Sequence, residues 1–246
     1  MRRGLVDSRT EAVRLIDQHR VLVNGAVADK PARMVDPADA LVLEGPPPRF
    51  VSRGGEKLDA ALVAFGLEVS GRFALDAGAS TGGFTDCLLQ RGARHVVALD
   101  VGHGQLHPKI RNSGRVTVIE RSNIRELTVD RLAERPTIVV ADLSFISLTK
   151  VIPVLAAVVV PGGDLVLLVK PQFEAGRQEV ARGHGIITDA AVHERVRDEV
   201  GAALVLADCT VLGWIDSPLT GTDGNREFLV HATTSVTAAI SAGVGS

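Results

Sequence analysis

The chain has 246 residues, a hydrophobic content of 46% and a formal net charge of −2 at pH 7. This length suffices for one large domain or for a small and a medium one, and the hydrophobic content suffices for a packed core. The charge excludes a globally basic nucleic-acid binder, and the 3% aromatic content argues against an aromatic platform for stacking bases.

No stretch of the sequence indicates secretion, a membrane span or a metal site. The start, MRRGLVDSR, lacks the apolar core of a signal peptide. Residues 151–160 form the longest apolar stretch, which falls far short of the ~20 residues that a membrane helix needs. Cys87 and Cys209 match no metal or redox spacing, so we expect reduced thiols and a cytoplasmic protein without a bound metal.

Residues 1–45 predict a small α+β domain. Apolar side chains recur at helical spacing between residues 8 and 20, and Asn24-Gly25 is the strongest short signal for a hairpin. A further strand is expected at residues 41–44. The proline run that follows cannot be helical, so we place a linker at residues 46–52.

The stretch LDAGASTGGFTD, residues 75–86, predicts a strand, a glycine-rich turn and a helix. Glycine allows a positive φ and a close approach of a ligand to the backbone, and the start of a helix offers unpaired N–H groups. The next predicted strand ends at Asp100, whose carboxylate can accept hydrogen bonds from both hydroxyls of a ribose. The stretch contains neither the dinucleotide fingerprint nor a P-loop. It is similar to the S-adenosylmethionine (SAM) pocket of Rossmann-like methyltransferases, although the glycines alone also fit an ordinary packed turn.

Apolar runs alternate with helical segments along the rest of the chain. Strands are expected at residues 116–120, 137–141 and 164–169, which predicts a parallel sheet covered on both faces. The last two strands flank residues 219–225 and are expected to close the sheet as an antiparallel hairpin. The predicted fold is therefore an α/β Rossmann-like sheet with an antiparallel last strand, followed by a frayed tail at residues 235–246.

Four charged residues fall where a ligand is expected, beyond the carboxyl ends of the strands. Asp142 and Lys170 follow apolar strands, Glu227 precedes the last strand, and Lys57 lies in the first turn of a predicted helix. Each of them alone could be a surface charge that reaches water. Together, two lysines and two acids around one crevice suit the movement of a proton.

The stretch SRTEAVRLIDQHRVLVNGAVADKPARMV closely resembles the small RNA-binding domain first described in ribosomal protein S-four. The resemblance implies that Arg9, Arg14, Arg20 and Lys30 present positive charge to RNA phosphates. That family carries a further helix before the Ser-Arg dipeptide, so we expect either that this first helix is truncated here or that Met1 is not the true start.

The motifs SRGGEKL, LDAGASTGGFTD, ADLSFIS, LVKPQFE and NREF, in this order, resemble the TlyA family, whose catalytic domain is FtsJ-like. The resemblance implies a methyltransferase domain at residues 53–234 that uses SAM to methylate a ribose 2′-hydroxyl of ribosomal RNA, free or in ribosomal subunits. It places a catalytic tetrad on Lys57, Asp142, Lys170 and Glu227. It places the cofactor contacts on Asp76, Ala77, Gly78, Ser80, Thr81, Gly82, Gly83, Phe84, Asp100 and Asn123.

The chemistry of the reaction suggests a role for each member of the tetrad. A ribose 2′-hydroxyl is a weak acid, so the transfer needs alignment of the reacting atoms and removal of one proton. We expect Lys170 to accept that proton and Lys57 to orient the hydroxyl. Asp142 and Glu227 are expected to position the two lysines.

Three other functions remain open on the residues alone. A base N-methyltransferase would share the cofactor turn, but the place of its D/N-P-P-Y/F motif reads Asp142-Leu143-Ser144-Phe145 here, which argues against it. A membrane-active haemolysin would need a spanning or strongly amphipathic segment, and the sequence shows none. A non-catalytic RNA-binding or ribosome-assembly protein would bind RNA independently of the tetrad. Nothing in the sequence indicates an oligomeric state.

Overall fold

The computed structural model describes residues 3, 5–6, 9–17, 19–46, 48–221 and 224–236. The side chains of residues 10, 11, 14, 177 and 178 lie outside this description, as do residues 237–246 of the predicted tail. The chain divides into two compact units, residues 1–49 and residues 50–246.

The described residues of the small unit form a helix and a three-stranded antiparallel sheet in the order β2-β1-β3. The elements are α1 (Arg9–Asp17), β1 (Val21–Val23), β2 (Ala26–Val27) and β3 (Leu41–Leu43). Asn24 and Gly25 join β1 to β2 with a positive φ at both residues, as a tight hairpin turn requires. Leu15 of α1 and Val23 of β1 are buried. The predicted helix, hairpin and third strand are confirmed.

The large unit is built on a seven-stranded sheet in the order β6-β5-β4-β7-β8-β10-β9. Its strands are β4 (Phe73–Ala77), β5 (His95–Leu99), β6 (Val116–Ile119), β7 (Ile138–Ala141), β8 (Asp164–Val169), β9 (Cys209–Asp216) and β10 (Phe228–Thr234). Strands β4 to β8 run parallel, and β10 pairs antiparallel with both β8 and β9. The predicted α/β sheet with an antiparallel last strand is confirmed.

Helices cover both faces of this sheet. They are α2 (Arg53–Ala64), α3 (Gly83–Gln90), α4 (Pro108–Arg111), α5 (Ile152–Val158), α6 (Pro171–Glu174), α7 (Arg177–Arg182) and α8 (Ala190–Leu206), with 3₁₀ turns at Ile124–Glu126, Val129–Arg131 and Leu148–Lys150. Successive residues of a strand point to opposite faces. Leu75 of β4 therefore joins the apolar cluster of α5 and α8, whereas Ala74 joins that of α2 and α3. Within the described ranges, no helix is both long enough and apolar enough to cross a membrane.

The large unit begins at Phe50, three residues before the predicted start of the methyltransferase domain. Phe50 is buried and lies so close to α2 that a Cβ at Gly55 would come within 2.4 Å of it. The backbone N–H of Val51 donates to the Asp86 carboxylate of α3 at 2.9 Å. Residues 50–52, which the sequence assigns to the linker, therefore pack as part of the large unit.

Candidate active site

A cavity of about 500 Å³ lies beyond the carboxyl ends of the parallel strands β4, β5 and β7. Five of the residues that the sequence singles out line it: Gly78, Ser80, Asp100, Asn123 and Asp142. The volume lies within the range of about 300 to 1,000 Å³ that is typical of small-molecule sites. Because α/β sheets bind ligands at this edge, the cavity is the candidate cofactor pocket.

The turn after β4 brings the backbone into the wall of this cavity. Gly78 has a φ of +85°, and a Cβ there would lie 2.5 Å from the carbonyl oxygen of Asp142. The N–H groups of Gly78 and Ala79 donate to the carbonyl of Leu99 at 2.8 and 3.1 Å, which fixes the turn against β5. Glycine satisfies both the positive φ and the close contact. Glycine at position 78 is therefore required by the packing of the turn against the residues after β7, and the turn itself lines the cavity.

Six predicted cofactor residues, all within the described ranges, lie off the cavity wall and build the turn and the helix beside it. They are Asp76, Ala77, Thr81, Gly82, Gly83 and Phe84. Gly83 lets α3 approach α2, since a Cβ there would lie 2.9 Å from the backbone nitrogen of Gly55. Phe84 is buried in the apolar cluster that also contains residues of α2. Some residues of the glycine-rich motif therefore line the cavity, and others support the turn without reaching the cavity.

Asp76 supports the turn from the protein interior, with 0% of its surface exposed. Its Oδ2 accepts a hydrogen bond from Thr85 Oγ1 at 2.6 Å, and its Oδ1 has no hydrogen-bond partner among the described residues. Burial raises the pKa of Asp76 to about 7; the Thr85 hydrogen bond opposes this shift and the charge of Asp142 adds to it. Asp76 is therefore a buried carboxyl group and not a group on the cavity surface.

Asp100, which follows β5, does reach the cavity. Its Oδ1 accepts the N–H of Gly102 at 2.6 Å, and its Oδ2 accepts the N–H of Ser80 at 2.8 Å. A carboxylate offers about four acceptor positions, so two remain for the hydroxyls of a ribose. Asn123 lines the same cavity, and its Oδ1 accepts the N–H of Arg125 at 3.1 Å. Both predicted residues therefore hold local backbone and also contribute to the pocket wall.

The predicted tetrad forms two ion pairs. Lys57 Nζ of α2 pairs with Glu227 Oε2, and their side chains are 9% and 2% exposed. Lys170 Nζ pairs with Asp142 Oδ1 at 2.5 Å, with side-chain exposures of 11% and 25%. Lys57 and Glu227 are 170 positions apart in the sequence. The pairing of β8 with both β7 and β10 brings Asp142, Lys170 and Glu227 to one edge of the sheet, and α2 brings Lys57 to Glu227.

The two ion pairs lie at neighbouring strand ends. Phe228 of β10 is opposite Val169 of β8, so Glu227 and Lys170 each stand one residue beyond this pair. Lys170 Nζ also donates to Ser144 Oγ at 3.1 Å. The contact with Asp142 is a close ion pair, and the hydrogen bond to Ser144 fixes the direction of Nζ.

Phe145 is a residue of this site that the sequence does not single out as functional. It lies on the cavity wall, is 92% exposed and has a φ of +64°, an unusual value for a bulky residue. Its ring centroid lies 5.2 Å from that of Phe173, and Lys170 Nζ lies 5.8 Å from the Phe173 ring. The available signal was a phenylalanine next to the tetrad in a chain with 3% aromatic residues. An exposed ring beside the reactive groups offers a stacking surface for a nucleobase.

The four predicted RNA-binding residues of the small unit differ in their surroundings. Arg9 and Lys30 are exposed. The side chain of Arg14 lies outside the described part of the chain. The Arg20 guanidinium donates to two backbone carbonyls that follow β3, with a distance of 2.7 Å to that of Glu44. Arg20 therefore holds the end of the small unit, a structural role that the sequence does not reveal.

Comparison with protein families and curated proteins matches both units. A model of the FtsJ-like methyltransferase family matches residues 50–234, and a model of the S4 domain matches residues 2–41. The 16S/23S rRNA (cytidine-2′-O)-methyltransferase TlyA of Mycobacterium tuberculosis is 46% identical, over 98% of this chain and 90% of that protein. The putative rRNA methyltransferase YqxC of Bacillus subtilis is 44% identical over 93% of this chain and 82% of that protein. Hemolysin A of Brachyspira hyodysenteriae is 40% identical over 93% and 95% of the two chains.

Solved structures of other proteins share the fold of this chain. A putative hemolysin from Streptococcus thermophilus has a TM-score of 0.79 and 43% identity, covering 95% of this chain and 86% of that chain. A putative hemolysin from Lactococcus lactis has a TM-score of 0.74 and 46% identity, covering 76% and 90%. A putative SAM-dependent methyltransferase from Listeria monocytogenes has a TM-score of 0.55 at 16% identity, covering 75% and 100%, which shows a shared fold.

Proposed function

The chain belongs to the TlyA family, whose methyltransferase domain is FtsJ-like, and we propose that it methylates a ribose 2′-hydroxyl of ribosomal RNA with SAM as the methyl donor. The observation that carries this proposal is the pairing of two lysines with two carboxylates beside a cavity of suitable size. The relative from Mycobacterium tuberculosis, named as an rRNA (cytidine-2′-O)-methyltransferase, supports a cytidine as the modified nucleotide.

The pocket suits SAM, which contains an adenine and a ribose but no phosphate. Asp100 keeps acceptor positions for the ribose hydroxyls, and Gly78 lets the backbone approach the ligand. Asn123 is placed to contact the nucleoside from the turn after β6. When bound, SAM supplies an electrophilic methyl group on a sulfonium. The residues of the pocket have the task of holding this group in line with the ribose oxygen.

Lys170 is placed to accept the proton that the 2′-hydroxyl gives up. In its neutral amine form, Nζ would take up this proton while the ribose oxygen gains the methyl group and the methyl–sulfur bond of the donor breaks, which leaves an ammonium, an uncharged ether and an uncharged thioether. The Asp142 carboxylate stabilises that ammonium, and the Ser144 hydroxyl helps to fix its direction. Release of the proton to water restores the amine for the next turnover.

Lys57 is placed to orient the hydroxyl. Its ammonium is nearly buried and pairs with Glu227, which is more buried still. Such a pair keeps its geometry, because separation of the partners would leave an uncompensated buried charge. We therefore assign the positioning of the ribose oxygen to Lys57 and the positioning of Lys57 to Glu227.

The small unit has the task of holding the RNA. Its match to the S4 domain and its exposed Arg9 and Lys30 support contacts with RNA phosphates. We expect RNA binding to fall steeply with salt concentration, since each phosphate contact releases counterions. The partner is ribosomal RNA, free or in ribosomal subunits, and this substrate places the activity in the cytoplasm.

Methyl incorporation from labelled SAM into ribosomes, separated subunits and protein-free ribosomal RNA tests this function. Mapping of the product should place the methyl group on the ribose of a cytidine. Lys170→Ala serves as the negative variant, since it removes the proposed proton acceptor, and its SAM affinity, measured in parallel, shows whether Asp142 and Ser144 of the cavity wall keep their positions. A methyl group on a base, or equal incorporation by the variant, would contradict the assignment. Absence of incorporation by the wild type would favour the non-catalytic RNA-binding alternative.

A further inference from the structure

Glu174, at the end of α6, lies outside the tetrad and off the wall of the cofactor cavity. Its Oε1 accepts the backbone N–H of Leu148 at 2.8 Å, and its Oε2 accepts the hydroxyl of Ser147 at 2.5 Å. Burial raises the pKa of the Glu174 carboxyl group, and the two hydrogen bonds oppose that shift. Because burial of a polar group is costly without partners, these bonds hold the side chain in one place.

The two hydrogen bonds connect two segments of the active-site edge. The first segment, residues 142–148, follows β7, and its residues 142–146 form one wall of the cofactor cavity. The second segment, residues 170–174, follows β8. The ion pair of Lys170 with Asp142 joins the segments at their beginnings. Glu174 joins them at their ends.

Two further contacts lie between these two joints. Lys170 Nζ donates to Ser144 Oγ, and the rings of Phe145 and Phe173 lie 5.2 Å apart. The contacts follow the same order along both segments, so the segments lie side by side over their length. Glu174 makes the contact at the end away from the ion pair.

The first segment depends on such contacts for its position. The N–H of Asp142 donates to the carbonyl of Ala77 at 3.0 Å, and this is the point at which the chain leaves the sheet. Beyond it, Leu143 and Ile146 pack against the apolar core, Leu148 is buried in that core, and the two Glu174 hydrogen bonds are the polar contacts that hold residues 147 and 148. A displacement of about 1 Å in a reacting group can lower a rate on the order of 10²-fold.

We propose that Glu174 is a positioning residue of the methyl transfer. It holds the segment after β7 at the distance at which Asp142 pairs with Lys170 and residues 142–146 close the cofactor pocket. This inference rests on the proposed function for the reaction itself, but its effect on the pocket can be measured with SAM alone.

Substitutions at position 174 separate geometry from charge. Glu174→Gln keeps the length of the side chain, and the amide can accept the Leu148 N–H and donate to Ser147 Oγ. Glu174→Asp keeps the charge but is one methylene shorter, and Glu174→Ala removes both bonds. A positioning role predicts that activity decreases in the order wild type, Glu174→Gln, Glu174→Asp, Glu174→Ala. A role of the charge itself predicts that Glu174→Asp is more active than Glu174→Gln.

The measurements are SAM affinity without RNA, by calorimetry, and the single-turnover rate of methyl transfer at saturating SAM and ribosomal RNA. We expect Glu174→Ala to lower this rate on the order of 10- to 100-fold and to weaken SAM binding, while Glu174→Gln recovers most of both. Glu194→Ala, which alters an exposed glutamate of α8, is the matched control and should behave as the wild type. Thermal unfolding identifies the variants that are folded at the assay temperature.

A folded Glu174→Ala variant with wild-type rate and SAM affinity would overturn the positioning role, as would a Glu174→Gln variant as impaired as Glu174→Ala. If Glu174→Ala does not fold, the order of Glu174→Gln and Glu174→Asp decides the question. Wild-type protein that transfers no methyl group overturns the proposed function instead. In that case the SAM affinities of the variants still test the role of Glu174 in the pocket.

Discussion

The two lysine–carboxylate pairs of the active-site edge contain the same chemical groups but differ in burial. The two lysines are almost equally buried, with side-chain exposures of 9% for Lys57 and 11% for Lys170. The carboxylates differ, since Glu227 is 2% exposed, whereas Asp142 is 25% exposed and lines the cofactor cavity. This difference agrees with the proposal that the Lys57–Glu227 pair positions the substrate and that the Lys170–Asp142 pair handles the proton.

The largest effect is expected at Lys170, to which we assign the proton transfer. Lys170→Ala should leave folding and SAM affinity nearly normal but lower turnover by roughly 10² to 10⁴, the usual contribution of a positioned acid–base group. Lys170→Arg should be nearly as inactive, because a guanidinium does not deprotonate at working pH. Single-turnover methylation of a saturating ribosomal substrate, run as a pH series on both variants, measures this. Near-wild-type rates for Lys170→Arg would instead assign the proton to Lys57 or to water.

The buried pair should show its role mainly in stability. Glu227→Ala is expected to lower the free energy of unfolding by about 3–5 kcal/mol, because it leaves the Lys57 ammonium buried without its partner. Asp142→Ala should cost less, since Asp142 is partly exposed and Lys170 keeps its bond to Ser144. Urea denaturation compares the two variants.

An apolar replacement of the buried pair sharpens this comparison. The double variant Lys57→Met/Glu227→Leu should recover most of the stability lost in Glu227→Ala, because no uncompensated charge remains, and it should recover no activity. Equal stability losses in Glu227→Ala and Asp142→Ala would remove the distinction between the two pairs.

A third carboxylate, Asp100, is predicted to act on SAM affinity and not on the proton transfer. Asp100→Ala should weaken SAM binding by about tenfold or more, since a hydrogen bond to a charged group contributes about 1.5–3 kcal/mol. The single-turnover rate at saturating SAM should change far less than in Lys170→Ala. Calorimetry with Asp198→Ala, an exposed aspartate of α8, as the control measures the affinity. Unchanged affinity in Asp100→Ala would refute its assignment to the ribose.

The fourth carboxyl group, Asp76, lies in the interior and should produce a pH effect. Its pKa is raised by burial to about 7, against about 3.9 in an unfolded chain. Between about pH 4 and pH 7 the native state therefore holds a proton that the unfolded state lacks, so this contribution to stability is lost as the pH rises through that window. Asp76→Asn resembles the protonated form of Asp76, so it should keep this contribution to stability as the pH rises.

The measurement for Asp76 is the difference in Tm between Asp76→Asn and the wild type at two pH values. Relative to the wild type, Asp76→Asn should gain stability between about pH 5 and about pH 8, by an amount on the order of a few °C. A difference in Tm that does not depend on pH would mean that Asp76 is not protonated in the native state.

Local patterns in the sequence account for most of the fold. The strand expected at residues 164–169 is observed as Asp164–Val169, and that expected at 116–120 as Val116–Ile119. Such runs are recognisable because their residues are apolar on both faces and β-rich, which is typical of a sheet covered by helices on both sides. The short helices α6 and α7 escaped prediction, since segments of four and six residues contain too few turns for a helical period.

The sequence predicted which residues form the candidate site, but it did not predict how these residues are arranged. The tetrad came from motifs shared with the family, and the two ion pairs are what the fold adds. Asp76 and Asp100 both end or follow a strand beside the glycine turn, yet the first is buried and the second lines the cavity. Phe145 lies in the family motif ADLSFIS, but that motif does not reveal its exposure, which depends on the path of the segment after β7.

The sequence by itself determined the order of the strands, the glycine turn and the family to which the chain belongs, because these depend on local spacing and short motifs. The tertiary structure alone decided which lysine pairs with which acid, which carboxyl groups are buried, and that Glu174 joins two segments of the site. The physical reason is that burial and long-range distances are collective properties. They arise from placing β10 beside β8 and from packing helices on both faces, and no single stretch of the chain contains that information.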